Sequence, residues 1–429
     1  MFAVPTPTNR ESDEVRNAKM LLRALGVECA VVEDVAWEEE QTVEARLVLR
    51  VRPRHQERGR CPQCGSRCAG YDAGEGLRRW RAPDVGLVPV FVEAQAPRIE
   101  CPHHGVLVAR VPWARPGSRF TRTFEDTVAW LAVRTDKTTL SNLMSIAWRT
   151  VGRILERVSN TARATMDPLA NLVRIGIDEV AYRKGHRYLT VVIDHDSGRL
   201  LWASPGHDEA TLRTFFDSLG EERAKALQLV SADAAAWIAN VVRERCPNAV
   251  LCLDPFHVVQ WATRALDEVR RNVWNALRES GKSDLAQTLK HARWALWKNP
   301  EDLSAAQTTS LAAIQRDNAS LYRAYLLKEQ LRAVFQSGIQ GIELLDRWLR
   351  WAARSKLKPF VKLARSVRNH RRGIYAALIH GLSNARIEAA NTKLRLLTRL
   401  AYGFHSHAPM IALAMLKLGG LCPSLPRLK

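Results

Sequence analysis

Three acidic side chains invite a chemical reading. Asp178 closes the apolar run RIGID, Asp233 closes LVSAD, and Glu388 lies in SNARIEAANTKLRLLTRLAYGF. From Arg347 to Lys429, Glu388 is the sole carboxylate side chain in a stretch rich in Lys and Arg. On a helix, Asn384, Glu388, Asn391 and Arg395 share one face. Such a lone acid is either a surface ion-pair partner, worth little energetically, or a ligand for something more positive. An Asp after a strand is most often a turn or capping residue. Taken together, three acids from separate elements can hold two divalent ions. Such a pair activates a water or a 3′-hydroxyl and stabilises the leaving oxygen in an in-line attack on a phosphodiester. Mutual repulsion should raise at least one of the three pKa values and leave the acids splayed, or held by Arg or Lys, when no ion neutralises them. Asp254 competes for the second place, since it too ends an apolar run and His257 follows one helical turn on. Asp233 is preferred because its strand should lie beside that of Asp178, and the strand of Asp254 one further out.

A second chemistry belongs to sulfur. CPQCG places Cys61 and Cys64 two residues apart, with Gly65 permitting the tight turn of half a tetrahedral zinc site. CPHH repeats the spacing with Cys101 and His104, and Cys68 and His103 are alternative ligands. A redox pair would more naturally open a helix in an α/β unit, and Pro62 and Gly65 argue against that. One structural zinc is expected. Eight cysteines are too few for a disulfide scaffold in 429 residues and read as reduced, intracellular thiols.

These groups need a frame. Val43, Ala45, Leu47, Leu49 and Val51 alternate as one face of a strand over Thr42 to Arg52, and Asn17 to Leu25 suits a short amphipathic helix. Strands and turns should fill the stretch between the two zinc half-sites. From Thr121 the period turns helical. A first helix is capped by Thr123, a second covers Thr139 to Met144 and a third Trp148 to Val158. Arg149, Arg153 and Arg157 repeat at i, i+4, i+8 on this third helix, which suits either a helix-turn-helix facing DNA or a small bundle with a solvated stripe. Then follow strands Arg174 to Asp178, Arg187 to Ile193 and Leu200 to Ala203, helix Glu209 to Leu219, strand Ala226 to Val230, helix Ala235 to Arg245 and strand Ala249 to Leu253. That order, βββ-α-β-α-β with acids at the ends of the first and fourth strands, is the layout of a ribonuclease-H-like fold. The gap from Asp233 to Glu388 is too long for one connection, so Trp261 to His380 should be a helical insertion broken at Gly281, Asn299-Pro300 and Gly338. Lys356 to Arg372 is basic enough to line DNA. Trp348 and Trp351, one turn apart, are read as core rather than as base-stacking platforms. Glu388 should sit on a helix capped by Ser383 and ended by Gly403.

Hydrophobic residues make up 46% and charged residues 25% of the chain, ordinary for a soluble protein. The net charge of +20 is not ordinary and points to a polyanion, nucleic acid first and a membrane surface second. No apolar run is long enough to span a bilayer, and MFAVPTPTNRESDEV does not read as a signal peptide.

The stretches CPQCG, IGIDEVAYRKGHRYLTVVID, SADAAAW, LCLDPFHVV and SNARIEAANTKLRLLTRLAYGF resemble the DDE transposases of bacterial insertion sequences, of the ISL-three type. The resemblance runs from the zinc half-sites onward, and motif order and flanks agree as well as the acids. It implies Asp178, Asp233 and Glu388 as a catalytic triad holding two Mg2+ ions, which Mn2+ can replace. Asp254 and His257 in DPFH correspond to a supporting D-x2-H signature. Lys393, Arg395 and Arg399 join Arg149, Arg153 and Arg157 as DNA contacts. CPHH departs from the second Cys-x-x-Cys that the family leads one to expect.

The expected organisation is a multidomain α+β chain. An N-terminal segment (1–54) precedes a zinc finger (55–115) and a helix-turn-helix (120–165). A ribonuclease-H-like core (171–260) is interrupted by an all-helical insertion (261–380) and completed by residues 381–429. The implied function is cleavage and strand transfer at the terminal inverted repeats of an insertion sequence. The expected partners are transposon-end and target duplexes, with at least a homodimer on DNA, in the cytoplasm at the bacterial nucleoid. A catalytically silent DNA-binding regulator and a nuclease without strand transfer are the alternatives.

Overall fold

The computed structural model describes residues 17, 19–42, 44–183, 185, 187–282, 285–287, 289, 292–382, 385–400 and 406–426. Val43, named above for a strand face, Ser383 and Gly403, named for the ends of a helix, and Asn384, named for its face, lie outside them. Contacts divide the chain into two compact units, one of residues 1–167 with 397–429 and one of residues 168–396. No helix among the described residues is long and apolar enough to cross a membrane.

The first unit opens with a short helix over 19–24. A four-stranded sheet follows in the order β1 (Ala30–Glu38), β2 (Arg46–Pro53), β5 (Val88–Gln95), β4 (Leu77–Val85). Alternation drives it: Leu47, Leu49 and Val51 on β2, and Val90, Val92 and Ala94 on β5, point into one core with Trp80 and Trp113. Strands β2 and β5 pair in parallel, Leu47 opposite Val90. A domain boundary at residue 54 would therefore cut through one sheet. A three-stranded ribbon, β3 (Ala69–Asp72), β6 (Arg98–Cys101) and β7 (Gly105–Val108), carries the second half-site at the β6–β7 turn, and Cys61 and Cys64 lie before β3.

Helices α1 (Arg122–Ala132), α2 (Lys137–Leu143) and α3 (Trp148–Thr165) come next. Thr121, not Thr123, caps α1 by accepting the Phe124 amide at 3.3 Å, while the Thr123 hydroxyl donates to the Gly26 carbonyl at 3.1 Å. Asp136 caps α2 through the amides of Thr138 and Thr139. The last helix of the chain, α15 (His407–Leu418), also belongs to this unit and packs on α3. Gly152 of α3 is its seat, since a Cβ there would meet the Pro409 ring at 3.2 Å. Residues 381–429 are expected from the sequence to complete the catalytic core; from Leu397 onward they group with this unit, where the apolar side chains of α15 are buried.

The second unit holds a five-stranded sheet in the order β10 (Leu200–Pro205), β9 (Arg187–Asp194), β8 (Arg174–Arg183), β11 (Leu229–Ala232), β12 (Val250–Leu253). The first two contacts are antiparallel and the last two parallel. Strand β8 runs on to Arg183, so Asp178 is inside it and not at its end. The apolar run expected as a strand from Ala226 starts as a short helix, α5 (Glu221–Ala226), and the strand begins at Leu229. Ile175 and Ile177 face a core made with α4 (Glu209–Leu219) and α6 (Ala236–Arg245). Gly176 and Asp178 point to the other face, as the strand period of two demands.

Helices α7 (Pro255–Glu279), α8 (Arg293–Trp297), α9 (Ala305–Asp317), α10 (Ala319–Gln336), α11 (Gly341–Arg354) and α12 (Lys358–Asn369) share one apolar core. Trp348 is fully buried there, donating its indole N–H to the Leu327 carbonyl at 2.8 Å, and Trp351 packs partly buried against the same core. Helix α13 (Arg371–His380) joins that core through Ile374 and Leu378 and also lies on the sheet. Its Ala376 and Ala377 pack with Leu229 and Cys252, and Gly373 lets it approach Leu253 closely. Helix α14 (Ala385–Leu400) carries Glu388.

Candidate active site and metal centre

The sheet register explains how the acids meet. Strand β11 pairs with β8 as far as Ser231 opposite Gly176, and with β12 as far as Ala232 opposite Leu253. Continued by two residues, the first register sets Asp233 beside Asp178. Continued by one, the second sets Asp254 beside Asp233. Glu388 arrives from α14, whose Ile387 fills the place where a side chain at residue 176 would stand. A Cβ on Gly176 would be 2.2 Å from the Ile387 Cδ1. The guanidinium of Arg386 donates to the carbonyls of His195 and Asp196 in the β9–β10 turn, the second at 2.7 Å. One turn further on, Asn391 donates from Nδ2 to the Asp178 Oδ2 at 2.6 Å. The other Asp178 oxygen accepts the Glu179 amide at 2.7 Å. Among the described residues, Asp178 is thus held by the Asn391 and Glu179 amides, and not by Arg or Lys.

The acids sense one another. Burial raises the pKa of Asp178, and the Asp233 carboxylate adds to the rise. Partial burial raises Glu388, with Asp178 as the repelling neighbour. Asp254, 3% exposed, is pushed up to about 6 by burial, and Glu388 and Asp178 contribute. A positive charge on His257 would lower all three, so His257 is within electrostatic reach of each. Its Nδ1 is 3.4 Å from the Asp254 Oδ2. Asp254 also caps α7 through the Phe256 amide, with Pro255 in the first turn. Asp233 accepts the Ala235 amide at 2.9 Å. Among the described residues, the carboxylates are not gathered as three groups within 4.8 Å of one another, as the thiolates are. Sequence reasoning missed Glu179, half-buried beside Asp178 and repelled by Asp233. Nothing in its spacing marks it.

The thiolate site is tighter. Cys61 Sγ, Cys64 Sγ, Cys101 Sγ and His104 Nδ1 lie within 4.8 Å of one another. Cys61 to His104 is 3.7 Å, Cys64 to Cys101 is 3.7 Å and Cys101 to His104 is 3.5 Å. Four ligands bonded at about 2.0–2.3 Å to a tetrahedral ion stand about 3.4–3.8 Å apart, so this donor set fits zinc. The two knuckles are built alike: Gly65 and Gly105 each follow the second ligand with positive φ, +73° and +69°. A hydrogen bond from Ser66 holds the Cys64 thiol down to about 6, which favours the thiolate a metal needs. Of the alternative ligands, Cys68 turns to the Ser66 carbonyl and His103 packs edge-on against His104.

Arg149 and Arg153 are exposed on α3. Arg157 is not part of that surface, a correction to the three-arginine face. It pairs at 2.7 Å with Glu125, fully buried on α1 and also bound by Arg115 and Ser118. A buried carboxylate claims the nearest guanidinium, because leaving it unpaired is costly. Lys393, Arg395 and Arg399 are exposed on α14. Lys358, Lys362, Arg365 and Arg368 form the exposed face of α12.

Comparison with known proteins adds independent findings. A profile of DDE transposases of the ISL3 type, described as a transposase, matches residues 175–414. A helix-turn-helix domain of transposase family ISL3 matches 109–159, and the zinc-finger of transposases IS204/IS1001/IS1096/IS1165 matches 57–104. The chain is 52% identical over 434 residues to the transposase for insertion sequence element IS1557 of Mycobacterium tuberculosis, strains CDC 1551 / Oshkosh and ATCC 25618 / H37Rv, covering 96% of this chain and 98% of the relative. It is 26% identical over 348 residues to the transposase for insertion sequence element IS1001 of Bordetella parapertussis, covering 80% of this chain and 85% of the relative.

Proposed function

The chain belongs to the ISL3 family of transposases, and on that premise we propose that it binds the terminal inverted repeats of its element and cuts and joins DNA strands there. The observation that carries the reading is the face of β8 on which Asp178 lies beside the end of β11, with α14 laid across it. The mixed five-stranded sheet is read as a ribonuclease-H-like core, with Asp178, Asp233 and Glu388 as the metal-holding acids. Two divalent cations bound there, Mg2+ or Mn2+, would supply an activated hydroxyl and neutralise charge on the leaving oxygen. Asp178 stands oriented by hydrogen bonds to both oxygens. Glu388 stays exposed towards substrate, and Asp254 with His257 supports the cluster from beneath. The zinc ribbon is proposed to hold one structural zinc through Cys61, Cys64, Cys101 and His104. The ribbon and helix-turn-helix would read the ends, with Arg149 and Arg153 towards DNA. Lys393, Arg395, Arg399 and the basic face of α12 would run along phosphates. Pairing two ends calls for at least a dimer on DNA.

The test uses the full chain, DNA carrying the element's ends, and Mg2+ or Mn2+. Asp178→Ala, Asp233→Ala and Glu388→Ala should each abolish cleavage and joining while end binding persists. Cleavage retained in all three would overturn the reading, and cleavage without joining in the parent chain would make it a nuclease.

A further inference from the structure

We propose that Asn391 is a positioning residue for the metal-holding acids. Its amide fixes the Asp178 carboxylate to the helix that carries Glu388, so that the two acids present one preset site. The inference rests on the reading of Asp178 and Glu388 as metal-holding acids.

Asn391 is 4% exposed, and its Nδ2 reaches Asp178 across 213 residues of chain at 2.6 Å. The bond goes to Oδ2, while Oδ1 is held by the Glu179 amide. Each oxygen accepts one donor and keeps a lone pair for a cation. Glu388 and Asn391 are three residues apart on α14, hence neighbours on one face.

The other end of the amide separates this role from plain packing. Among the described residues, Asn391 Oδ1 is buried without a hydrogen-bond partner. A buried acceptor left unpaired costs stability. An apolar residue of similar size would remove that cost but also the donor to Asp178, whereas a side chain with a hydrogen-bond donor at this place can still restrain it. Groups that orient metal ligands in this way typically change metal affinity 10–100-fold when lost.

The experiment titrates Mn2+ into the full-length protein without DNA, following bound metal by its paramagnetic signal. Thermal melting and end binding are measured alongside. Asn391→Leu should bind Mn2+ 10–100-fold more weakly than the parent chain. Its fold should persist, because relief of the unpaired amide oxygen offsets part of the donor that Asp178 loses, and its affinity for end DNA should be unchanged. Asn391→Ser, which keeps a short donor, should fall between the two. Glu388→Gln and Asp178→Asn are the controls. If these controls lose Mn2+ while Asn391→Leu and Asn391→Ser bind it within twofold of the parent, the inference fails and the metal-site reading stands. If Asn391→Leu loses Mn2+ together with its fold, Asn391→Ser decides: parent-like affinity overturns the proposal. If the parent chain binds no Mn2+, or the controls bind it as well as the parent, both readings fall.

Discussion

At the scale of single residues, partners decide what a charge does. Arg149, Arg153 and Arg157 repeat along one helix, yet Arg157 is claimed by the buried Glu125. Arg157→Ala should therefore destabilise the first unit by about 1–3 kcal/mol in denaturant melts, because a buried carboxylate loses a donor. Arg149→Ala and Arg153→Ala should leave stability unchanged. Each should reduce the salt slope of end binding by about 1 if its side chain meets a phosphate. Two buried groups of the second unit pull stability in opposite directions with pH. Burial holds His195 down to about 4, with Arg174 and Arg386 adding to it. Between about pH 4 and its unfolded value near 6.5, the unfolded chain carries a proton there that the folded chain lacks. This contribution is complete above about pH 6.5 and is lost on acidification. Asp254, raised to about 6, behaves in reverse: the folded chain keeps the proton the unfolded one has lost, so stability falls as pH rises from about 4 to 6. Relative to the parent chain, Asp254→Asn should show stability rising more steeply with pH across this window, by up to about 1.4 kcal/mol per pH unit. His195→Asn should show it falling. Urea melts at pH 4.5 and 6.0 without added divalent cations check both signs, and parallel slopes in all three proteins would refute the assignment.

At the scale of elements, close approach matters more than propensity. Helix α14 reaches the sheet because residue 176 has no side chain. Gly176→Ala places a methyl against Ile387 and within 2.9 Å of the His195 Nε2. It should push α14 outward and lower strand cleavage strongly, with end binding retained. Adding Ile387→Ala should restore part of the cleavage, and a double variant no better than the single would show that α14 is not seated there. The zinc ribbon is the second such element. The ribbon and its flanks bury few apolar groups, Ile99 and Ala109 among them, so the fold of the ribbon should depend on the metal. Metal analysis should find one zinc per chain. Cys61→Ser or a chelator should weaken end binding while the melting of the second unit stays in place.

At the scale of the whole molecule, the chain's ends belong with each other. Residues 397–429 join 1–167 in the first unit. Helix α15 covers Gly152 of α3, and Met410, Leu413 and Leu416 are buried in the contact region. Removing residues 406–429 should expose that apolar surface. Affinity for end DNA should drop more than tenfold, and the first unit should melt earlier while the second keeps its transition. End binding undiminished after truncation would show that α15 is dispensable to the recognition helices. The net charge of +20 acts at this scale too, through the salt dependence of every DNA complex the chain forms.

Much of this was legible before any coordinates, and for a local reason. Apolar runs marked the β8, β11 and β12 strands, and the expected layout set the strand before Asp233 beside that of Asp178, as the register has it. The two x2 spacings marked the metal knuckles, because a thiolate, a turn and a glycine are short-range neighbours. Asp178 and Asp233 could be nominated because they ended apolar runs, and Glu388 because it stood alone in a basic stretch. What the tertiary structure alone decided involves partners far apart in sequence. It selected His104 over His103 and Cys68, turned Arg157 inward, and made Gly176 a seat for Ile387. It tied Asn391 to Asp178, joined β2 to β5 across an expected domain boundary, and returned α15 to the helices near Thr121. Periodicity states which face of an element is apolar but not which distant surface covers it. A polar residue likewise carries no mark of its partner until packing brings the two within hydrogen-bond reach.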